Sequence, residues 1–334
     1  MMTQDPQRLS DSISRRKFIA ATGATGAVAL AGCTENTSGA ESEGLSGDVI
    51  VKGSSTVFPI SDTFAEGFMN EHSEVNVTAD PTGSGGGFKN FFCPGDADVN
   101  GASRPIKDSE VEQCGSNDVN PVEFEIAGDA LTMAVNNNAD WVDCVTPDEM
   151  SQIWRDGGAR NWSDVRDEWP DEEIVLYGPA ETSGTYDWFN SNIVGEDYQH
   201  TARHQPTEDD ETIVAGIQDN DYAMGYFGYA YYSSNEDDVK ALSVDGGSGC
   251  TEPGLDTAKD GSYPMARPLF IYAAESSLKE KEQVYAFMEY YLENAETDTV
   301  QEIGYVPSST ELRDENLSKL EEYNTGGTNS TDGE

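Results

Sequence analysis

The stretch that most constrains the fold is Gly53-Ser54-Ser55-Thr56-Val57-Phe58-Pro59-Ile60. Before it, the apolar run Asp48-Val49-Ile50-Val51-Lys52 reads as a buried strand. After it, Ile60, Phe64 and Phe68 recur every four residues, as on a helix face, and Pro59 suits a first helical turn. A small-residue turn with three hydroxyls thus lies where a strand passes into a helix. Backbone N–H groups and the positive end of the helix dipole meet at such a place and favour an anion. Alone, the turn reads equally well as a hydroxyl-capped helix start. The pattern recurs, however. Glu173-Ile174-Val175-Leu176-Tyr177 reads as a strand, Gly178 to Tyr186 is a hydroxyl- and glycine-bearing turn, and Trp188 and Phe189 begin a helix. Two such turns could grip one ligand between them.

The segments between them fit an α/β chain. Val75 to Asp80 alternates and reads as a second strand; Asp98 to Ser103 reads as a third, ending at Arg104. Between them Thr82-Gly83-Ser84-Gly85-Gly86-Gly87-Phe88-Lys89-Asn90 reads as a loop that lets a backbone approach a ligand, with a short helix after it. It matches neither a Walker loop nor a dinucleotide fingerprint. Arg104, at a strand end among small residues, suits an oxyanion or a surface ion pair. Val122 to Ile126 and Ala130 to Asn136 read as strands, and Thr146 to Met150 opens a helix. Trp154, Trp162 and Trp169 read as core. His200 and His204 stand four apart but lack a third ligand, so no metal is expected. Glu211 to Ile217 reads as an amphipathic helix and Gly225 to Ala230 as a strand. Residues 246–261 look like a surface excursion, and Tyr263 to Tyr272 a crossing that ends in a long strand. Ser277 and Glu280 suggest a capping box before a helix with Val284, Phe287, Met288 and Tyr291. Gly304-Tyr305-Val306-Pro307 closes the fold, and a polar tail follows.

Charge narrows the partners. The 334 residues carry 63 Asp+Glu against 19 Lys+Arg, a formal charge of -44. Such a surface repels nucleic acid and anionic lipid. Acidic excess with few lysines resembles halophilic proteins, and at molar salt a Debye length of about 3 Å shields a recessed anion site from surface carboxylates. The 10% aromatic content argues against an acidic disordered chain. Ser14-Arg15-Arg16-Lys17-Phe18-Ile19 resembles a twin-arginine export signal, and Leu30-Ala31-Gly32-Cys33 a lipobox that would lipidate Cys33. The apolar run between them is too short to span a membrane. Residues 34–46 read as a tether and the end of the chain as a polar tail. The other cysteines, Cys93, Cys114, Cys144 and Cys250, suit two disulfides in an exported protein. Of three connectivities, Cys93–Cys114 with Cys144–Cys250 is favoured, because each pair then lies within one domain.

In order and spacing, residues 53–60, 82–89, 101–106, 178–185, 225–232, 263–272 and 304–307 resemble the PstS-type phosphate-binding proteins of ABC importers. The resemblance implies a two-lobed α/β fold of the type II periplasmic-binding-protein kind, with a hinge and an interdomain cleft. It places lobe I at 47–130 and 268–322, lobe II at 131–267, a signal at 1–33 and a disordered tail at 323–334. Crossings are expected near 129–135 and 263–269. It implies phosphate ligands at Ser55, Thr56, Val57 and Phe58, at Ser84, at Arg104, and at Ser183, Gly184 and Thr185. Many members have Asp at the position of Arg104 and Arg at that of Pro179, so the charges have exchanged places here. Glu181 is the candidate acceptor for the proton of hydrogen phosphate, a group that would reject sulfate.

The expected function is an extracellular, lipid-anchored, monomeric protein that takes inorganic phosphate to permease subunits of an ABC transporter, without a cofactor. Another oxyanion such as sulfate or molybdate is the alternative ligand. A phosphate-ester hydrolase would need an activated nucleophile or metal cluster, and neither is evident. An adhesin or surface-layer component would bind no small anion.

Overall fold

The computed structural model describes residues 44–325 apart from residue 196. The export signal, Cys33, residues 34–43 of the expected tether and residues 326–334 of the expected tail lie outside the described residues.

The first apolar run forms the strand Gly47–Gly53, which pairs in parallel with Val75–Pro81 on one side and Val99–Ala102 on the other. The six-stranded sheet continues antiparallel through Ala266–Ala274, Pro121–Ala130 and Val306–Pro307. Its core is set by the helix stripe seen in the sequence. Helix Phe58–Glu71 buries Ile60, Phe64 and Phe68. Phe64 meets Tyr291 edge-on at 4.9 Å, and Phe68 meets Phe287 at 5.5 Å, both partners on helix Glu282–Asn294. Each such ring contributes roughly 1.5–3 kcal/mol by leaving water.

The chain leaves this sheet after Ala130 and enters a second at Thr132–Asn136. That five-stranded sheet runs Val239–Ala241, Thr132–Asn136, Ala223–Phe227, Val175–Pro179, Gln205–Thr207. Trp154, Trp162 and Trp169 are buried in its core, as expected. The outgoing and returning segments are bonded together: Leu131 N–H donates to Met265 O at 3.1 Å and Tyr263 Oη to Leu131 O at 2.8 Å. The two disulfides are Cys93–Cys114 and Cys144–Cys250, the favoured pairing. The second joins a three-stranded ribbon of Cys144–Val145, Ser243–Asp245 and Cys250–Thr251.

Four local expectations are corrected. The glycine run is not a loop but a helical turn, Ser84–Gly87, continued by the wider turn Phe88–Phe92. It lies so close to the first strand that a Cβ on Gly87 would stand 2.7 Å from Gly53 Cα. The strand expected through Ala230 stops at Phe227, and Tyr229–Ser234 is helical, because Asp129 Oδ1 accepts from the Tyr229 N–H at 3.1 Å. Ser277 makes no cap; it lies inside helix Glu275–Glu280 and its Oγ donates to Asp98 Oδ1 at 2.7 Å. Finally, Val306–Pro307 does not close the fold. Helix Thr310–Glu321 follows, with Ser309 Oγ accepting from Leu312 N–H at 3.1 Å and Leu320 buried.

The Cys144–Cys250 bridge closes 106 residues of sequence separation. Loop entropy then predicts that replacing both cysteines by serine lowers unfolding free energy by about 2–5 kcal/mol. Urea denaturation with and without reductant measures it.

Candidate anion site between two helix starts

The first turn is buried and tightly bonded, and the second is buried from Ser183 to Thr185. In the first, Ser54 O accepts from Val57 N–H at 3.2 Å and Phe58 N–H at 3.0 Å, while Ser54 Oγ accepts from Thr56 N–H at 3.1 Å. The Thr56 carbonyl is held by Tyr305 Oη at 2.5 Å and the Ser55 carbonyl by Tyr231 Oη at 3.2 Å. Ser55 is 4% exposed and Thr56 and Val57 are fully buried. Gly53 has φ +123°, a conformation that favours glycine, and a Cβ there would stand 2.1 Å from Gly101 O. In the second turn Ser183 caps helix Gly184–Phe189, its Oγ accepting from Thr185 N–H at 3.1 Å.

The two turns meet. Thr56 Oγ1 lies 3.0 Å from Thr185 Oγ1. Gly85 and Gly86 N–H groups donate to Thr182 O at 2.9 and 3.4 Å. Ser84 Oγ accepts from Ser103 N–H at 3.1 Å. A Cβ on Gly184 would come within 2.3 Å of Ser84 Oγ and 2.6 Å of Ser103 Oγ. Thr56, Ser84, Ser183, Gly184 and Thr185 therefore lie together, and Ser103 joins them.

The arginine that reaches the facing hydroxyls is Arg267, not Arg104. Arg267 Nε and Nη2 donate to Asp129 Oδ2 at 3.0 and 2.8 Å, and both side chains are fully buried. Nη2 also reaches Thr185 Oγ1 at 3.0 Å and Thr56 Oγ1 at 3.4 Å. Nη1 is buried without a partner among the described residues. Asp129 thus uses one edge of the guanidinium and the two threonine hydroxyls share Nη2, which leaves Nη1 for another acceptor. The sequence signal was an arginine opening an otherwise apolar strand. Arg104 is engaged elsewhere: Nη1 and Nη2 grip Glu110 at 2.8 and 2.7 Å, Nη1 also donates to Pro105 O at 2.9 Å, and Nε donates to Asp187 at 2.7 Å. Its fork is filled by carboxylates rather than offered to a ligand.

Glu181 is exposed on its turn, which places the expected proton acceptor in water rather than in the junction. Of the buried acids among the described residues, Glu110 is engaged by Arg104 and Asp98 by Lys281, and Asp129 and Asp210 are the two beside Arg267. Asp210 is 3% exposed, its Oδ2 has no hydrogen-bond partner among the described residues, and the Arg267 and Asp129 charges act on it. Burial pushes its carboxyl up to about 8, with Asp129, Glu208 and Asp209 adding to the rise and Arg267 opposing it. His200 and His204 lie behind the second turn. His200 Nε2 is 3.1 Å from Tyr226 Oη and His204 Nε2 is 3.2 Å from Pro179 O. Burial lowers His200 to about 4, so it is neutral at pH 7.

The Asp210 value has a sign that can be tested. An unfolded aspartate titrates near 3.9, so between about pH 4 and 8 the folded chain holds a proton that the unfolded chain lacks. Asp210 thus makes stability fall as pH rises through that window. Asp210→Asn flattens this slope and stabilises the anion-free protein at pH 8 relative to wild type, read from denaturation midpoints between pH 4.5 and 8.

Comparison with known proteins covers both sheets. The family model described as a PBP superfamily domain matches residues 38–295. Protein SphX of Synechocystis sp. is 38% identical over 282 residues, spanning 83% of this chain and 82% of that protein. Phosphate-binding protein PstS of Staphylococcus saprophyticus is 36% identical over 302 residues, spanning 90% and 93%. The crystal structure of a possible phosphate binding protein from Planctomyces limnophilus is 37% identical with TM-score 0.61, covering 84% of this chain and 99% of that one. The expected α/β, periplasmic-binding-protein-like fold is met, and the chain belongs to the PBP superfamily and, within it, to the PstS-type family.

Proposed function

We propose that this chain captures inorganic phosphate between its two halves and delivers it to the permease of an ABC transporter. The observation that carries this reading is Arg267 Nη1, a buried charged donor without a partner among the described residues, beside hydroxyls from two facing helix starts. A dianion leaving water needs many donors. Here Thr56, Ser84, Ser183 and Thr185 hydroxyls, Gly184 N–H and Arg267 Nη1 supply them. Arg267 takes the part first given to Arg104. The hinge lies where the chain passes between sheets, at Leu131 and near Tyr263, so that residues 47–130 and 268–322 move against 131–267. Closure excludes water and strengthens each bond; opening releases the ligand.

The relatives named above for phosphate support the ligand. A second reading, an oxyanion site that also admits sulfate or molybdate, is favoured by the acids present. Asp129 Oδ2 is taken by Arg267, Oδ1 accepts from the Tyr229 N–H, and burial raises Asp210 to about 8, so little acceptor capacity is left for a phosphate proton. We further propose export by the twin-arginine route and anchoring through Cys33 on the outer face of the membrane. Residues 14–19 and 30–33 support this, and the acidic surface suits a saline medium.

Isothermal titration in molar salt is the direct test. Phosphate should bind with one-to-one stoichiometry and resist displacement by excess sulfate or molybdate; displacement by either establishes the second reading, and absence of heat with all three ends both. Gly184→Ala probes the junction itself. The added methyl would strike Ser84 and Ser103 only when the halves meet, so phosphate affinity should fall by about a hundredfold or more, the scale of losing several charge-assisted bonds. The anion-free protein should still unfold cooperatively, because parting of the halves relieves the contact.

A further inference from the structure

We propose that Arg104 and Asp187 form a latch across the two halves that sets how fast the bound anion leaves; the proposal rests on the phosphate reading above. Arg104 follows the strand Val99–Ala102 of the first sheet, and Asp187 lies on helix Gly184–Phe189 beside the second. Arg104 Nε donates to Asp187 Oδ2 at 2.7 Å, and Lys107 Nζ reaches the same oxygen at 2.7 Å. The Arg104 and Asp187 side chains are 6% and 16% exposed, so salt screens their bond weakly. The Thr182 carbonyl, which accepts from Gly85 and Gly86, lies five residues before Asp187 on the same turn and helix.

The network is asymmetric in a way that suits reversible closure. Glu110 belongs to the same half as Arg104 and holds both Nη groups. When the halves part, Arg104 keeps that partner and is never left as an unpaired buried charge, the outcome that would make opening prohibitive. Asp187 gives up both of its cations and regains water. The contact therefore favours the closed form without locking it. Whatever factor it adds to the closed population slows release by a similar factor. None of these groups needs to touch the anion, because Arg267 supplies the cation at the junction.

Stopped-flow release of phosphate from the full chain in molar salt tests the latch. Asp187→Asn should release phosphate about tenfold faster or more, with association little changed, since truncating one partner of a desolvated charge pair acts mainly on dissociation. Asp187→Glu should recover part of the slow release. Arg104→Lys, which keeps the charge but loses the fork, should also accelerate release. Unchanged release in Asp187→Asn and Arg104→Lys overturns the proposal. So does slower release in Asp187→Asn, the result expected if Arg104, once freed, were itself a ligand. If the wild type binds no phosphate, the functional reading fails separately. The latch is then judged by small-angle scattering of the anion-free chain: a larger radius of gyration in Asp187→Asn supports it, and an equal radius overturns it.

Discussion

The buried pair Arg267–Asp129 is the constraint on which the remaining geometry depends. The two residues stand directly opposite each other in the antiparallel pairing of Ala266–Ala274 with Pro121–Ala130. Both lie at the ends of those strands, where the chain leaves for or returns from the second sheet. A fully buried charge is tolerated only when paired and hydrogen-bonded, and removing one partner strands the other at a cost of about 3–5 kcal/mol. The pair therefore fixes the strand register at the crossing. By register it also carries the guanidinium to within hydrogen-bond reach of Thr56 and Thr185, which come from opposite halves.

An acidic chain with an anion site must deal with its own carboxylates, and here it does so residue by residue. Asp129 is balanced by Arg267. Glu110 and Asp187 face Arg104 and Lys107, two charges of each sign. Asp210 is kept neutral by burial. Glu208, beside Thr182 and Gly83, has no cation partner among the described residues; the Thr182 hydroxyl donates to it and burial raises its carboxyl. The exposed carboxylates are the part that salt screens best.

What the sequence made legible was local. Strand, small-residue turn and helix announce themselves through periodicity within about fifteen residues, so both helix starts were found, as was the tryptophan core; the disulfide pairing came instead from keeping each pair within one domain. What it concealed was set by distance or by close approach. Arg267 meets Asp129 across 138 residues of chain, and no spacing rule connects them. Arg104 looked like a ligand because it ends a strand, but Glu110, six residues on, folds back within helix Asp108–Gly115 to claim it. The glycine run became helical because its backbone packs where side chains have no room, a tertiary preference that overrides propensity. Helix Thr310–Glu321 was missed because most of it is polar; few positions beyond Leu320 and Asn316 are buried, too little for an apolar stripe to show.

The small side chains at the junction follow from the same geometry. Two helix starts can face each other only if nothing larger than a hydroxyl stands between them, and Thr56 and Thr185 touch through their oxygens at 3.0 Å. Oxygens at that spacing are each other's partners until a better acceptor enters. A bound oxyanion could take both hydroxyls, and the Nη1 donor with them, so charge-assisted bonds to the anion would join those that Nη2 already makes to Thr56 and Thr185. The interactions made without a ligand are then the ones a ligand most readily replaces, while Arg104, Asp187 and the Thr182 carbonyl hold the seam beside it. Recognition and closure are in this way assigned to different side chains. The strength of one can change without rebuilding the other.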